Sequence, residues 1–301
     1  KPGVPRDLRV LPGGNVAKPG DLVPRGFPMV LTKGDAAFHQ GSGRRELAEK
    51  IFTDAAPLAA RVMVNRVWGW HFGKPLVETT SDFGVQGEKP THPRLLDDLA
   101  SRFVAHGWSL KWLHRELVLS ATYQQSGRSR PEAAAVDPDN RLLWRMNTRR
   151  MDAESIRDCL LQTAGTLDGR AGGPSSNADQ VENTRRSIYS RISRGRAGNY
   201  LRLFDFPEAS MHSPGRETTT TPLQQLFVMN SPFMRAQAEA LVRGVPEGAD
   251  EPGKVRDMIR KVLLREPDER ELELAAHYLT TGTLLNYAHA LLCTNELIYQ
   301  P

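Results

Sequence analysis

Residues 61–92 concentrate the side chains that could bind a ligand or transfer a proton. Two histidines with carboxylates nearby are the groups that acid–base catalysis and metal binding most often use. We refer to this set as the polar cluster, and it has seven members: Arg61, Asn65, Arg66, His71, Asp82, Glu88 and His92.

The polar cluster also has a purely structural interpretation, which the sequence favours over a ligand pocket. His71 lies near the end of a predicted helix, where the helix dipole stabilises a cation. His92 lies in the first turn of the next predicted helix, where its ring can bond to a backbone carbonyl. A metal site is not predicted, because the spacing matches no known ligand motif such as HExxH.

Two further polar sets have structural interpretations that are simpler than functional ones. The run 216–221 ends at Thr221, which is predicted to cap a helix, although its hydroxyl groups could also bind a ligand. The sequence contains no GxSxG motif, P-loop or dinucleotide fingerprint. Helix capping and salt bridges are expected of the other set: Arg150, Asp152, Arg157 and Asp158.

The polar cluster begins on residues 57–73, which the sequence predicts to be a buried helix. Pro57 suits the first helical turn, and Gly73 suits the position just after the last one. Apolar residues occupy nearly every side of this helix, as is typical of a helix packed inside a protein. Its arginines therefore need carboxylate partners. We expect Asp82 to be that partner, with Glu88, Asp97 and Asp98 as the other candidates.

The remaining sequence predicts a mainly all-α fold. Residues 1–41 are rich in proline and glycine and predict an extended arm. Residues 42–301 predict one irregular domain of about eight to ten helices around one core, with long ordered loops. Residues 166–184 predict a mobile segment, because they are polar and lack periodicity. Only 187–192 resembles a strand, so at most a minor strand pair is expected.

Composition excludes several classes of protein. The net charge of +5 is mild, and the arginine clusters at 141–150 and 185–196 accompany no nucleic-acid motif, so no nucleic-acid partner is predicted. No apolar run is long enough to span a membrane. Cys159 and Cys293 are expected to be buried hydrophobic residues, with a disulfide as the alternative. The absence of CxxCH excludes c-type haem attachment to this chain.

Short motifs throughout the chain resemble one family. The chain is similar to the C-terminal domain of unknown function of planctomycete cell-surface proteins, called the PSD-one domain family. The motifs that carry the resemblance are Arg61-Val-Met-Val-Asn-Arg-Val-Trp, Asp82-Phe-Gly, Gly107-Trp-Ser-Leu-Lys, Ser120-Ala-Thr-Tyr, Phe204-Asp-Phe-Pro and Asn230-Ser-Pro-Phe.

This resemblance implies a location and a context, but no activity. In that family the domain usually follows cytochrome c-like modules in exported proteins. The resemblance therefore implies a periplasmic or cell-surface location. It also implies that haem is bound by neighbouring modules and that this chain itself holds no cofactor. The chain opens without a start methionine or signal peptide, which is typical of a piece of a longer protein.

Two functions remain open. The first is a non-catalytic binding or scaffold module of a larger exported multidomain bacterial protein, whose partners are other domains of the same polypeptide and an acidic glycan. The second is a polysaccharide-acting enzyme or a redox-partner domain, with a pocket near His71, Asp82 and His92. The enzyme hypothesis requires that loop 78–92 closes a pocket lined by these side chains, whereas mutual bonding among them would favour the module.

Overall fold

The computed structural model describes residues 4–195 and 197–300, and within them the chain is mainly helical, as predicted. Fourteen α-helices, three short 3-10 helices and four two-residue strands make up the regular structure of these residues. None of the helices described combines the length and apolar character that crossing a bilayer would require. Arg196, in the second arginine cluster, lies outside the described residues.

The buried apolar side chains form two clusters, so the prediction of a single core is wrong. One cluster belongs to a unit that ends at Asn147, and the other belongs to a unit that begins at Thr148. Each unit has its own set of interlocking amphipathic helices, and the helical periodicity of the sequence does not reveal which helices share a core. The division into an arm over 1–41 and a helical domain over 42–301 stays a prediction.

The first unit begins with a largely exposed segment. Strand β1 (Leu8–Arg9) pairs in antiparallel fashion with strand β2 (Leu22–Val23), and all four of these residues are exposed. Two 3-10 turns, Pro12–Gly14 and Met29–Leu31, are the other regular elements before the first α-helix. Prolines and glycines thus limit regular structure in this segment.

The predicted buried helix is the centre of the first unit. Helix α2 (Ala56–Phe72) buries Val64, Val67 and Trp68, and the Trp68 ring stacks on the Phe72 ring. Gly73 ends the helix with a φ of 77°, a left-handed conformation that favours glycine. The other helices of this unit are α1 (Arg44–Phe52), α3 (Pro93–Ala105), α4 (Leu110–Val118), α5 (Ala121–Gln124) and α6 (Pro131–Val136).

The second unit starts with strand β3 (Arg149–Arg150), which pairs in antiparallel fashion with strand β4 (Tyr299–Gln300) near the end of the chain. Asp152 then caps helix α7 (Ala153–Thr163), as predicted, by accepting a hydrogen bond from the Ser155 N–H. The remaining helices are α8 (Asn199–Leu203), α9 (Pro222–Asn230), α10 (Pro232–Arg243), α11 (Glu251–Leu263), α12 (Glu269–Leu279), α13 (Leu284–Leu292) and α14 (Asn295–Ile298).

The predicted strand at 187–192 is wrong. Ser187–Tyr189 forms a 3-10 turn, which the bond from the Ser190 N–H to the Ser187 carbonyl closes. The Asp158 carboxylate, on α7, accepts the Ser187 N–H at 2.7 Å. This N–H is therefore not available for a hydrogen bond to a neighbouring strand. The mobility predicted for residues 166–184 is not tested and stays a prediction.

Candidate functional site

Asn65 of the polar cluster ties the loop after α2 back to the helix. Its side chain is fully buried, and its amide nitrogen donates to the Val77 carbonyl at 2.9 Å. Its amide oxygen accepts the Val77 N–H at 2.8 Å. Both ends of the amide are therefore used inside the protein, which makes Asn65 a structural residue.

The two arginines of the polar cluster do not pair with Asp82, so that expectation is wrong. The Nε atom of Arg61 lies 3.1 Å from an Asp97 carboxylate oxygen, and Arg66 donates to the Ser81 hydroxyl at 3.4 Å. Asp82 is exposed, and its carboxylate accepts the Gly84 N–H at 2.8 Å in a local turn. Because both arginines are only partly buried, neither needs a carboxylate from the loop.

The histidines of the polar cluster make separate bonds. The Nε2 atom of His71 lies 2.7 Å from Nδ1 of His114, on helix α4, a partner that sequence reasoning missed. His92 bonds through Nδ1 to the Thr91 hydroxyl at 3.0 Å, and Glu88 has an exposed side chain. These bonds go to different partners, and a ligand site at the polar cluster stays a prediction.

The 216–221 run is held by a buried ion pair in the second unit. Arg150 donates to the Asp205 carboxylate at 2.6 Å and to the Gln224 side-chain oxygen at 3.1 Å. Asp205 also accepts the Thr219 N–H at 2.9 Å and the Thr219 hydroxyl at 2.7 Å. Thr221 caps α9, as predicted. This network fixes the approach to α9, which supports its structural interpretation.

Burial alone would raise the pKa of Asp205. The hydrogen bonds from the Thr219 backbone and hydroxyl, together with Arg150, outweigh that effect and hold the pKa of this carboxyl below its ordinary value. Asp205 is therefore ionised whenever the network is intact at neutral pH.

Arg157, on helix α7, is the charged side chain with the least exposure among the described residues, at 1%. Its Nη1 atom donates to the Arg185 carbonyl at 2.9 Å and lies 3.3 Å from the Ser187 hydroxyl. Its Nη2 atom donates to the Asn183 carbonyl. The Phe233 ring lies 5.4 Å from the guanidinium carbon. Every one of these partners is uncharged.

No carboxylate among the described residues forms an ion pair with Arg157, so the salt bridge expected of it is not formed. Asp158 instead accepts the Ser187 N–H and lies 3.6 Å from Nε of Arg186. The Nε atom of Arg157 is buried and has no hydrogen-bond partner. Burial lowers the pKa of Arg157, which means that the folded protein destabilises the positive charge that this side chain carries.

Arg157 lines a cavity of about 230 Å³, which we refer to as the arginine cavity. The apolar part of its wall contains three aromatic rings, and the exposed residues Asp179 and Asn199 contribute to its lining. The cavity thus joins a buried cation to residues that reach solvent. Its lining residues are Arg157, Ala178, Asp179, Asn199, Tyr200, Leu203, Phe227 and Phe233.

A second cavity of about 410 Å³ adjoins the first, because Asp179 and Asn199 line both. We refer to it as the polar cavity, since amide, hydroxyl and charged side chains dominate its lining. The residues that line it are Asn177, Asp179, Arg191, Ser193, Ala197, Gly198 and Asn199.

Asp179 holds the shared wall in place. Its two carboxylate oxygens accept the N–H groups of Asn199 and Tyr200, each at 2.8 Å, at the start of α8. A Cβ atom at Gly198 would lie 3.2 Å from an Asp179 oxygen, so glycine permits this close approach. The Tyr200 hydroxyl donates to the Ala153 carbonyl at 2.9 Å, and burial raises the pKa of Tyr200.

Sequence reasoning named Arg157, and included Arg191 in the second arginine cluster, but it predicted neither cavity. The other lining residues lie between 177 and 233 and form no motif with a fixed spacing. One local signal was available, because an arginine on the inward face of an amphipathic helix indicates a buried charge.

One comparison with known proteins gives a result. The family model PSD1, described as a protein of unknown function (DUF1553), matches residues 43–279, which include most of both units. No curated protein and no solved structure matches the chain.

Proposed function

We propose that this chain, which belongs to the PSD1 family of proteins of unknown function (DUF1553), is a binding module whose arginine cavity receives an anionic ligand. The observation that carries this proposal is the buried guanidinium of Arg157, which lines a cavity and has no carboxylate partner among the described residues. A buried charge is costly when nothing of opposite charge compensates it.

Asp158 and Asp179 favour the charged guanidinium without an ion pair, and an anion in the cavity would add a negative charge in direct contact. Arginine presents five N–H donors in a planar arrangement that suits carboxylate, phosphate and sulfate groups. The protein's own acceptors use Nη1 and one donor of Nη2, which leaves the Nε–H group without a partner. Charge-assisted hydrogen bonds of this kind are about twice as strong as those between neutral groups.

Asp179 is the one carboxylate that lines the arginine cavity among the described residues. Its negative charge would oppose a bound anion, but both of its oxygens already accept backbone N–H groups. These bonds hold the carboxylate at the start of α8, where it forms no ion pair with Arg157, although its charge still favours the charged guanidinium.

The wider biological setting is also a proposal, and family resemblance supports it. We place the chain in an exported planctomycete protein of the periplasm or cell surface, next to cytochrome c-like modules. Its partners there would be other domains of the same polypeptide and an acidic glycan. An enzyme or redox-partner centre near His71, Asp82 and His92 has weaker support, since these side chains make separate bonds.

Anion binding can be tested with simple salts. We expect acetate, phosphate or sulfate to raise the melting temperature above that in chloride of equal ionic strength, because a ligand of the folded state stabilises it. The variant Arg157→Gln should show a smaller increase, because only the general effect of phosphate and sulfate on folded proteins remains. The control Arg243→Gln, which removes an exposed arginine at the end of α10, should keep the full increase.

Two results would overturn the proposal. One is a wild-type protein whose melting temperature is the same in chloride as in all three anions. The other is a folded Arg157→Gln variant, verified by circular dichroism, that responds to the anions as the wild type does.

A further inference from the structure

The linings of the two cavities point to an acidic carbohydrate as the ligand. We infer that the carboxylate of a uronic acid binds Arg157 in the arginine cavity and that the next sugar ring of the chain lies in the polar cavity. This inference rests on the proposed function, because it names the ligand class of the same site.

The size of the arginine cavity favours a single ring. Pockets for drug-sized ligands measure about 300–1,000 Å³. The arginine cavity is smaller, at about 230 Å³. An inorganic anion at Arg157 would leave most of the aromatic wall without contact, so a ligand that fills the cavity needs a body as well as a charge.

The wall of the arginine cavity suits the faces of a sugar ring. Tyr200, Phe227 and Phe233 contribute aromatic surface to a cavity that holds one buried cation. A pyranose ring carries C–H groups on its faces, and aromatic rings can cover such apolar surface. A uronic acid combines this kind of ring with one carboxylate, which matches the single guanidinium.

The polar cavity distinguishes a sugar chain from a simple aromatic or aliphatic acid. Asn177 and Asn199 offer amide donors and acceptors, and Arg191 offers an exposed guanidinium. A second ring with several hydroxyl groups could bond to all three, whereas the tail of a hydrocarbon acid could bond to none of them. Asp179 and Asn199 line both cavities, so the second ring of a ligand bound in the arginine cavity would lie beside them.

Calorimetric titration at constant ionic strength tests this inference. The probes are D-glucuronate, D-galacturonate, digalacturonate, the neutral sugars glucose and galactose, acetate and benzoate. We expect at least one uronate to bind about tenfold more tightly than acetate, benzoate and its neutral sugar. Digalacturonate should bind more tightly than galacturonate, because it also occupies the polar cavity.

Variants assign each ring to its cavity. Phe227→Ala should weaken uronate binding about fivefold more than acetate binding, because only the ring body of the uronate contacts the aromatic wall. Arg191→Gln should reduce digalacturonate affinity to that of the single uronate and leave single-uronate binding unchanged. Arg243→Gln is the matched control for the loss of one exposed positive charge.

The outcomes separate this inference from the proposed function. Suppose that acetate binds and that its binding requires Arg157; the anion site then stands. If the uronates bind no more tightly than acetate, or less tightly than benzoate, the carbohydrate inference fails. If no probe binds, the carbohydrate inference fails, and the melting temperatures in phosphate and sulfate decide whether the anion site stands. If Arg157→Gln does not fold, the Phe227→Ala and Arg191→Gln titrations still decide the inference, because equal affinities to the wild type for every probe would contradict it.

Discussion

Asn65 and Arg157 are both buried polar side chains. They differ in whether the protein supplies a hydrogen-bond partner for every polar atom of the side chain. The amide of Asn65 is satisfied on both sides by the Val77 backbone. Arg157 donates to neutral acceptors only, although the charges of Asp158 and Asp179 favour its charged form from a distance, and its Nε atom has no hydrogen-bond partner. Complete hydrogen bonding, as in Asn65, is typical of a structural residue. A buried cation without an ion pair, as in Arg157, is consistent with the proposed anion site.

The structural role of Asn65 predicts a large loss of stability in Asn65→Leu. Leucine has a similar shape but cannot bond to Val77, so two buried backbone groups lose their partner at a cost of about 1–3 kcal/mol each. Urea denaturation of the variant measures this loss. Asp82→Ala, in the same loop, is the control, and because Asp82 is exposed we expect a change of about 0.5 kcal/mol or less. Equal losses in the two variants would contradict the role assigned to Asn65.

At the scale of elements, the sequence correctly predicted helix caps and helix ends, which depend on residues close to them along the chain. The caps at Asp152 and Thr221 and the helix end at Gly73 were correct, because each involves residues at most four positions away. The strand at 187–192 was wrong, because Asp158 takes the Ser187 N–H across 29 positions. The same limit applies to the arginine cavity, whose lining residues come from α7, α8, α9, α10 and the segment between α7 and α8.

The segment between α8 and α9 depends on the charge of Asp205, which predicts a pH-dependent loosening. The folded state lowers the pKa of Asp205 below its ordinary value of 3.8. Its contribution to stability is therefore complete above the ordinary value and is lost as the pH falls through the folded one. We expect pepsin to cut 206–221 increasingly as the pH falls below about 3.8.

The variant Asp205→Asn should show the same loosening at neutral pH, because its amide cannot compensate the buried Arg150. Trypsin cleavage after Arg216 at pH 7 measures it. Asp250→Asn is the matched control, since asparagine caps α11 about as well as aspartate does. A segment in Asp205→Asn that resists trypsin as the control does would show that the ion pair does not hold it.

At the scale of the whole molecule, helical periodicity predicted the class of fold but not its division into two cores. The mainly helical fold and the family resemblance were both confirmed. The two separate cores were missed, because amphipathic periodicity shows which face of a helix is buried and says nothing about which partner covers it. The family match covers most of both units, and it includes the buried helix of the first unit and the arginine cavity of the second.

The central claim is that Arg157 binds an anion, and the most direct measurement is the NMR signal of its Nε–H group in protein labelled with 15N-arginine. The peak that disappears in Arg157→Lys identifies this group. We predict that it shifts saturably as a uronate or acetate is added at constant ionic strength, while the Nε–H signal of Arg243 does not move. An Arg157 signal that stays in place while ligand is added to excess would contradict the account.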